Sequence, residues 1–115
     1  MTHPDMFGPY MLLSANIELA VTDRGRAAIY GLGRILQNDG FHLLFVGRAD
    51  DDLAGQLRRH IGEYGAFVYG YRNSPRDAFQ SECELYHSLT PDDNTTHPAP
   101  PPESGWRCPS CRALG

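Results

Sequence analysis

From Ser74 the chain reads SPRDAFQSECELYHSL, and this run specifies a helix more completely than any other segment. Ser74 suits the N-cap, Pro75 the first helical position, and Asp77 completes a box of the Ser-x-x-Asp kind. At about 100° per residue, Ala78, Phe79, Leu85, Tyr86 and Leu89 gather on one face. Glu82 falls inside that stripe, between Ala78 and Tyr86, whereas Glu84 points to water. A carboxylate on a core-facing stripe loses hydration, and a cation, a metal or hydrogen-bond donors must compensate. An arginine such as Arg48 or Arg72 would serve, and so would a metal ion. Any fold for this chain must bury the helix together with its acid.

The segments before it supply thin layers for that burial. Asp23-Arg24-Gly25-Arg26 is a turn, and AAIYGL (27–32) reads as a strand, followed by a loop ending at Asn38-Asp39-Gly40. HLLFVG (42–47) and AFVYGY (66–71) are short, Gly-bounded apolar runs of the buried-strand type. Between them Asp50–Asp52 opens a helix over 52–62, with Leu53, Leu57 and Ile61 as its inward stripe and Gly62 and Gly65 at its end. NIELAV (16–21) fits a short strand or a helical turn equally well. The expectation is a small α/β (α+β) fold with a three-stranded sheet flanked by helices. It divides into a body, 1–89, and an arm and tail, 90–115. The arm, 90–105, carries five of the nine prolines, and Trp106 is placed to anchor it.

Composition removes several function classes. At 115 residues and 41% hydrophobic the chain supports one domain with a modest core. The net charge of −4 excludes a protein that coats nucleic acid, so any phosphate contact is local. All ten basic residues are Arg, the side chain suited to bidentate phosphate contacts, although a biased genomic base composition explains a Lys-free chain equally well. No apolar run reaches membrane-spanning length. MTHPDMFGPY lacks the basic segment and apolar core of a secretion signal, which predicts a cytoplasmic location without a membrane partner. Three cysteines, two as Cys108-Pro-Ser-Cys111, fit reduced thiols or metal better than a disulfide framework.

Tyr30 on the first strand, His60 near the end of the first helix and Glu82 on the second place a phenol, an imidazole and a buried carboxylate on one frame. That trio suits metal-assisted phosphodiester hydrolysis, in which the carboxylate holds a divalent cation and the phenol or imidazole handles the proton of the attacking water. Over roughly residues 27–89 the ordered set resembles the GIY-YIG nuclease superfamily. Ala28-Ile29-Tyr30 is similar to the GIY element and Phe45-Val46-Gly47 to the YIG element. Leu53 to His60 resembles the helix that in the family carries a catalytic arginine and, four residues later, a tyrosine or histidine. Glu82 falls at the family's magnesium-binding glutamate. The resemblance implies an endonuclease acting on DNA with Mg2+ or Mn2+, using Tyr30, His60 and Glu82. Phe45 replaces the second tyrosine and Gln56 the helix arginine, which predicts weakened catalysis, with Arg48 or Arg59 as substitute cations. The alternative is a catalytically inactive module of the same fold that binds nucleic acid or a protein partner.

A second constellation involves sulfur. Cys83 and His87 are four apart on the Glu82 helix, a spacing that converges two ligands on one ion, beside but outside the apolar stripe. Cys108 and Cys111 supply the CxxC half of a tetrahedral site. Together they predict a closed, structural Zn2+ site that pins the arm to the helix, with His97 as the alternative fourth ligand. A zinc-stabilised interaction domain whose GIY-like residues are only core is the third reading.

Overall fold

The computed structural model describes residues 6–23 and 25–109. Its elements run β1 (Phe7–Met11), α1 (Ser14–Ala20), β2 (Ala28–Ile35), β3 (Phe41–Ala49), α2 (Leu53–Arg58), β4 (Ala66–Tyr71) and α3 (Pro75–Leu89). The sheet is antiparallel throughout, in the order β1-β4-β2-β3, which places β3 at an edge. The three expected strands are present, and a fourth, β1, corrects the expected three-stranded sheet. β1 pairs only with β4, and its Pro9 is tolerated because an edge strand leaves one row of backbone groups unpaired. NIELAV resolves as helix: Ile17 of α1 is fully buried.

Period-2 alternation along β2 divides the core. Ala28, Tyr30 and Leu32 pack with Leu53, Ala54 and Leu57 of α2 and Ile17 of α1. Ile29 points to the other face, with Val46 and with Ala78 and Leu85 of α3. The sheet therefore lies between α1/α2 and α3. β2 and β3 form one hairpin closed by Leu36 N–H donating to Gly40 C=O at 2.7 Å, so both strands outrun their expected limits.

α3 starts as its sequence dictates, with Ser74 Oγ accepting from the Asp77 N–H at 3.1 Å. It buries Ala78, Phe79, Glu82, Cys83 and Leu85. Cys83 is fully buried, so the expectation that it lies outside the apolar stripe is corrected. α2 is capped by Asp52, whose Oδ1 accepts from the Gly55 N–H at 3.0 Å, but it stops at Arg58 and not at 62. Residues 59–62 turn instead, ending at Gly62 with φ of 93°, and Ile61 is exposed.

The Pro-rich arm lies along the outer edge of β3. Asp93 N–H donates to the Leu44 carbonyl at 2.9 Å. Asn94 then copies a strand residue with its side chain: Oδ1 accepts from the Val46 N–H at 2.8 Å, and Nδ2 donates to the Val46 carbonyl at 2.9 Å. Trp106 sets its ring 6.2 Å from that of Phe79, the anchor its sequence position predicts. No helix among the described residues is long and apolar enough to cross a membrane.

Candidate active site and metal cluster

Tyr30 and Gly47 face each other across β2 and β3, one in each of the two motif-like tripeptides. The absence of a side chain at Gly47 lets the Tyr30 ring lie over the outer strand; a β-carbon there would stand 2.5 Å from the phenol oxygen. The Tyr30 pKa is pushed up to about 12, first by burial and then by the negative charge of Glu82, with Arg59 opposing. Tyr30 thus holds its proton at neutral pH, in a place reached by the fields of both residues.

Around Tyr30 stand Phe45 at 6.4 Å and His60 at 6.0 Å between ring centres, with Phe45 and His60 5.7 Å apart. His60 Nδ1 lies 2.9 Å from the Glu63 carboxylate. Because a carboxylate only accepts, Nδ1 carries the hydrogen and the neutral ring keeps its lone pair on Nε2. Tyr64 stacks on Phe45 at 6.4 Å and donates its hydroxyl to Asp93 Oδ2 at 2.8 Å, tying the arm to the cluster. Burial and that bond raise the Tyr64 pKa to about 12. Sequence reasoning did not single out Glu63, Tyr64, Asp93 or Asn94; a His-x-x-Glu-Tyr run is too common to signal a site. Gln56 lies half-buried on α2 and brings no charge; Arg59, exposed just after it, does.

Glu82 approaches from the opposite face of the sheet. It is 8% exposed, and its Oε1 accepts from Arg48 Nη1 at 2.8 Å. Arg48 comes from β3, also contacts Asp50 at 3.3 Å, and lies 5.2 Å above the Phe79 ring. Burial raises the Glu82 pKa above the ordinary carboxylate value, while the Arg48 hydrogen bond and charge pull it back. Arg48 is therefore the partner of the acid, and Arg72 bonds Ser81 instead. Arg48 has Glu82 and Asp50 for partners, whereas Arg59 is exposed.

The two groups meet around the edge of β3. Phe45 from one face and Glu82 from the other line a single open cavity of about 270 Å³, closed by Asp93, Thr95, Thr96 and His97 of the arm. Tyr30, His60 and Phe45 thus sit on one side of this edge, Glu82 and Arg48 on the other.

Beside it, ligand atoms of Cys83, His97 and Cys108 lie within 4.8 Å of one another, a group that could hold a metal ion. His97 Nδ1 is 2.6 Å from the Pro98 carbonyl, which assigns the hydrogen to Nδ1 and leaves Nε2 the lone pair a metal needs. His87 Nε2 is 3.1 Å from His97 Nε2, and His87 is exposed. His97, the alternative ligand expected from sequence, completes this mutual group where the arm turns back onto α3, and His87, expected from helical spacing, stands beside it. Cys111 lies outside the described residues. No family model, no curated protein and no solved structure matches this chain.

Proposed function

We propose that the chain is a GIY-YIG-like, metal-dependent endonuclease acting on DNA phosphodiesters, with turnover held low by Phe45, Gln56 and Arg48. The observation that carries this reading is the Tyr30 phenol laid over Gly47 within the field of Glu82. His60, oriented by Glu63, takes the proton of the attacking water on Nε2. Tyr30, still protonated, donates a hydrogen bond that positions the water or a phosphate oxygen. Arg59, exposed and with its charge reaching Tyr30, offsets phosphate charge.

Magnesium binds through one or two carboxylates plus substrate oxygens, so the single acid Glu82 is a sufficient donor. A bound divalent ion would supply charge neutralisation and a more acidic water. Arg48, 2.8 Å from Oε1, competes for the same carboxylate and so limits loading. That ion pair also favours a second reading, a non-catalytic module of the same fold that binds nucleic acid or a protein.

We further assign Zn2+ to Cys83, His97 and Cys108, with Cys111 as the fourth ligand. Two or three thiolates with imidazole are the donor set zinc prefers over magnesium. The role is structural, since four protein ligands leave no place for water.

Nicking of supercoiled plasmid in Mg2+ or Mn2+ tests the enzyme reading. Weak nicking is expected from the wild type, none from Glu82→Ala, and at least tenfold more from Gln56→Arg, which restores a cation by the scissile phosphate. No cleavage by either the wild type or the Arg variant would leave the binding module.

A further inference from the structure

We propose that the cavity at the β3 edge receives one unpaired nucleobase, presented by a single-stranded or flipped-out nucleotide. The inference rests on reading this cleft as one that receives nucleic acid. At about 270 Å³ the cavity falls near the lower end of small-molecule pockets, which run from roughly 300 Å³ upward, so it suits one planar ring system and not a folded peptide.

Its chemistry narrows the occupant further. One wall includes the half-buried Phe45 ring, an aromatic surface where a tyrosine would have added a hydroxyl. The opposite wall is the arm, where the exposed hydroxyls of Thr95 and Thr96 can donate to or accept from the edge of a base. Without a bound cation, phosphate is disfavoured inside, since Glu82 and Asp93 line the space and Arg48 pairs with Glu82 and Asp50. An aliphatic ligand would strand the polar wall. A base is planar, neutral and hydrogen-bonding at its rim, and stacking on an aromatic side chain is the sequence-tolerant way proteins hold unpaired bases.

Position supports the same occupant. Phe45 touches the Tyr30 and His60 cluster, so a base stacked on it brings its own phosphate towards Tyr30 and Arg59. A base paired inside a duplex cannot lay its face on the Phe45 ring without leaving its stack. The site therefore selects single strands, bulges and frayed ends over blunt duplex.

Equilibrium anisotropy without divalent ions tests this apart from cleavage. Labelled single-stranded DNA, RNA of the same sequence, blunt duplex, bulged duplex and a mononucleotide are compared. Single-stranded and bulged DNA should bind at least fivefold tighter than blunt duplex. Phe45→Leu should erase that preference, with a loss of roughly 5- to 100-fold, and Phe45→Trp should keep it. If Phe45→Leu fails to fold, Thr95→Val with Thr96→Val on the exposed arm reads the same preference. Tight mononucleotide binding would make a free nucleotide the source of the base, and equal RNA and DNA affinity would show that the sugar is not read; both keep the base site. Equal affinity for blunt and unpaired DNA, or a folded Phe45→Leu protein with the preference intact, overturns it. Nicking without the preference would remove the base site and leave the nuclease; preference without nicking does the reverse.

Discussion

The Tyr30 ring lies across Gly47, its partner on the neighbouring strand, so closely that a β-carbon at Gly47 would sit 2.5 Å from the phenol oxygen. The buried phenol has no flexible end to swing away. Gly47→Ala should therefore displace Tyr30 and cost about 1–3 kcal/mol, the usual range for overpacking a core. Chemical denaturation measures the loss, and Gly47→Ala combined with Tyr30→Phe should recover little, since ring and oxygen atoms both crowd the site.

Arg48 and Glu82 form a pair whose side chains are 15% and 11% exposed. Breaking one half of such a pair leaves an uncompensated charge, so Arg48→Met should destabilise by about 3 kcal/mol. The double variant Arg48→Met, Glu82→Leu should regain most of that. A double-mutant cycle by urea unfolding checks it; equal losses in the single and double variants would mean that Arg48 matters mainly through its contact with Phe79.

Alkaline pH should expose the cost of ionising Tyr30. Its folded pKa is raised from 10.0 to about 12, so the unfolded chain gives up the proton first. The stabilisation is intact below pH 10 and is lost as pH climbs from 10 to about 12, by roughly 2–3 kcal/mol. Tyr30→Phe should flatten part of that decline, with Tyr64, raised for its own reasons, responsible for a further part. Unfolding midpoints at pH 9, 10.5 and 11.5 compare the two proteins.

Elemental analysis of protein purified without a His-tag should find about one zinc per chain, and a chelator should lower the melting temperature, since metal binding contributes directly to folding. Cys83→Ser and His97→Ala should lose the metal. His87→Ala, outside the mutual ligand group, should keep it. Retention after His97→Ala together with loss after His87→Ala would reverse the assignment.

Much of the fold was legible because local signals and burial agree. The Ser74 cap, the α3 stripe and the three apolar strands each follow from residue type at fixed spacing. β1 was not legible: Phe7-Gly8-Pro9 reads as a breaker, and only pairing with β4 makes it a strand. α2 ends early because Gly62 takes a positive φ that a helix continuing through 62 would not allow. At the site, sequence placed Glu82 in the core and named Arg48 as a partner, yet nothing in a linear pattern says which arginine arrives. His97 over His87 is likewise a matter of where a Pro-rich arm folds back, a long-range event with no periodicity to betray it.

The clasp between Asn94 and Val46 bears on more than local order. An outer strand with open amides and carbonyls invites a second chain to pair with it, and proteins blunt such edges to stay apart. Here the arm does so with one backbone bond at Leu44 and one side chain at Val46. A chain cut after Leu89 retains every strand and helix described, but uncovers that template. Self-association into sheet-extended oligomers is then the natural fate of the shortened protein, so the arm acts as a guard of solubility as much as a wall of the cleft.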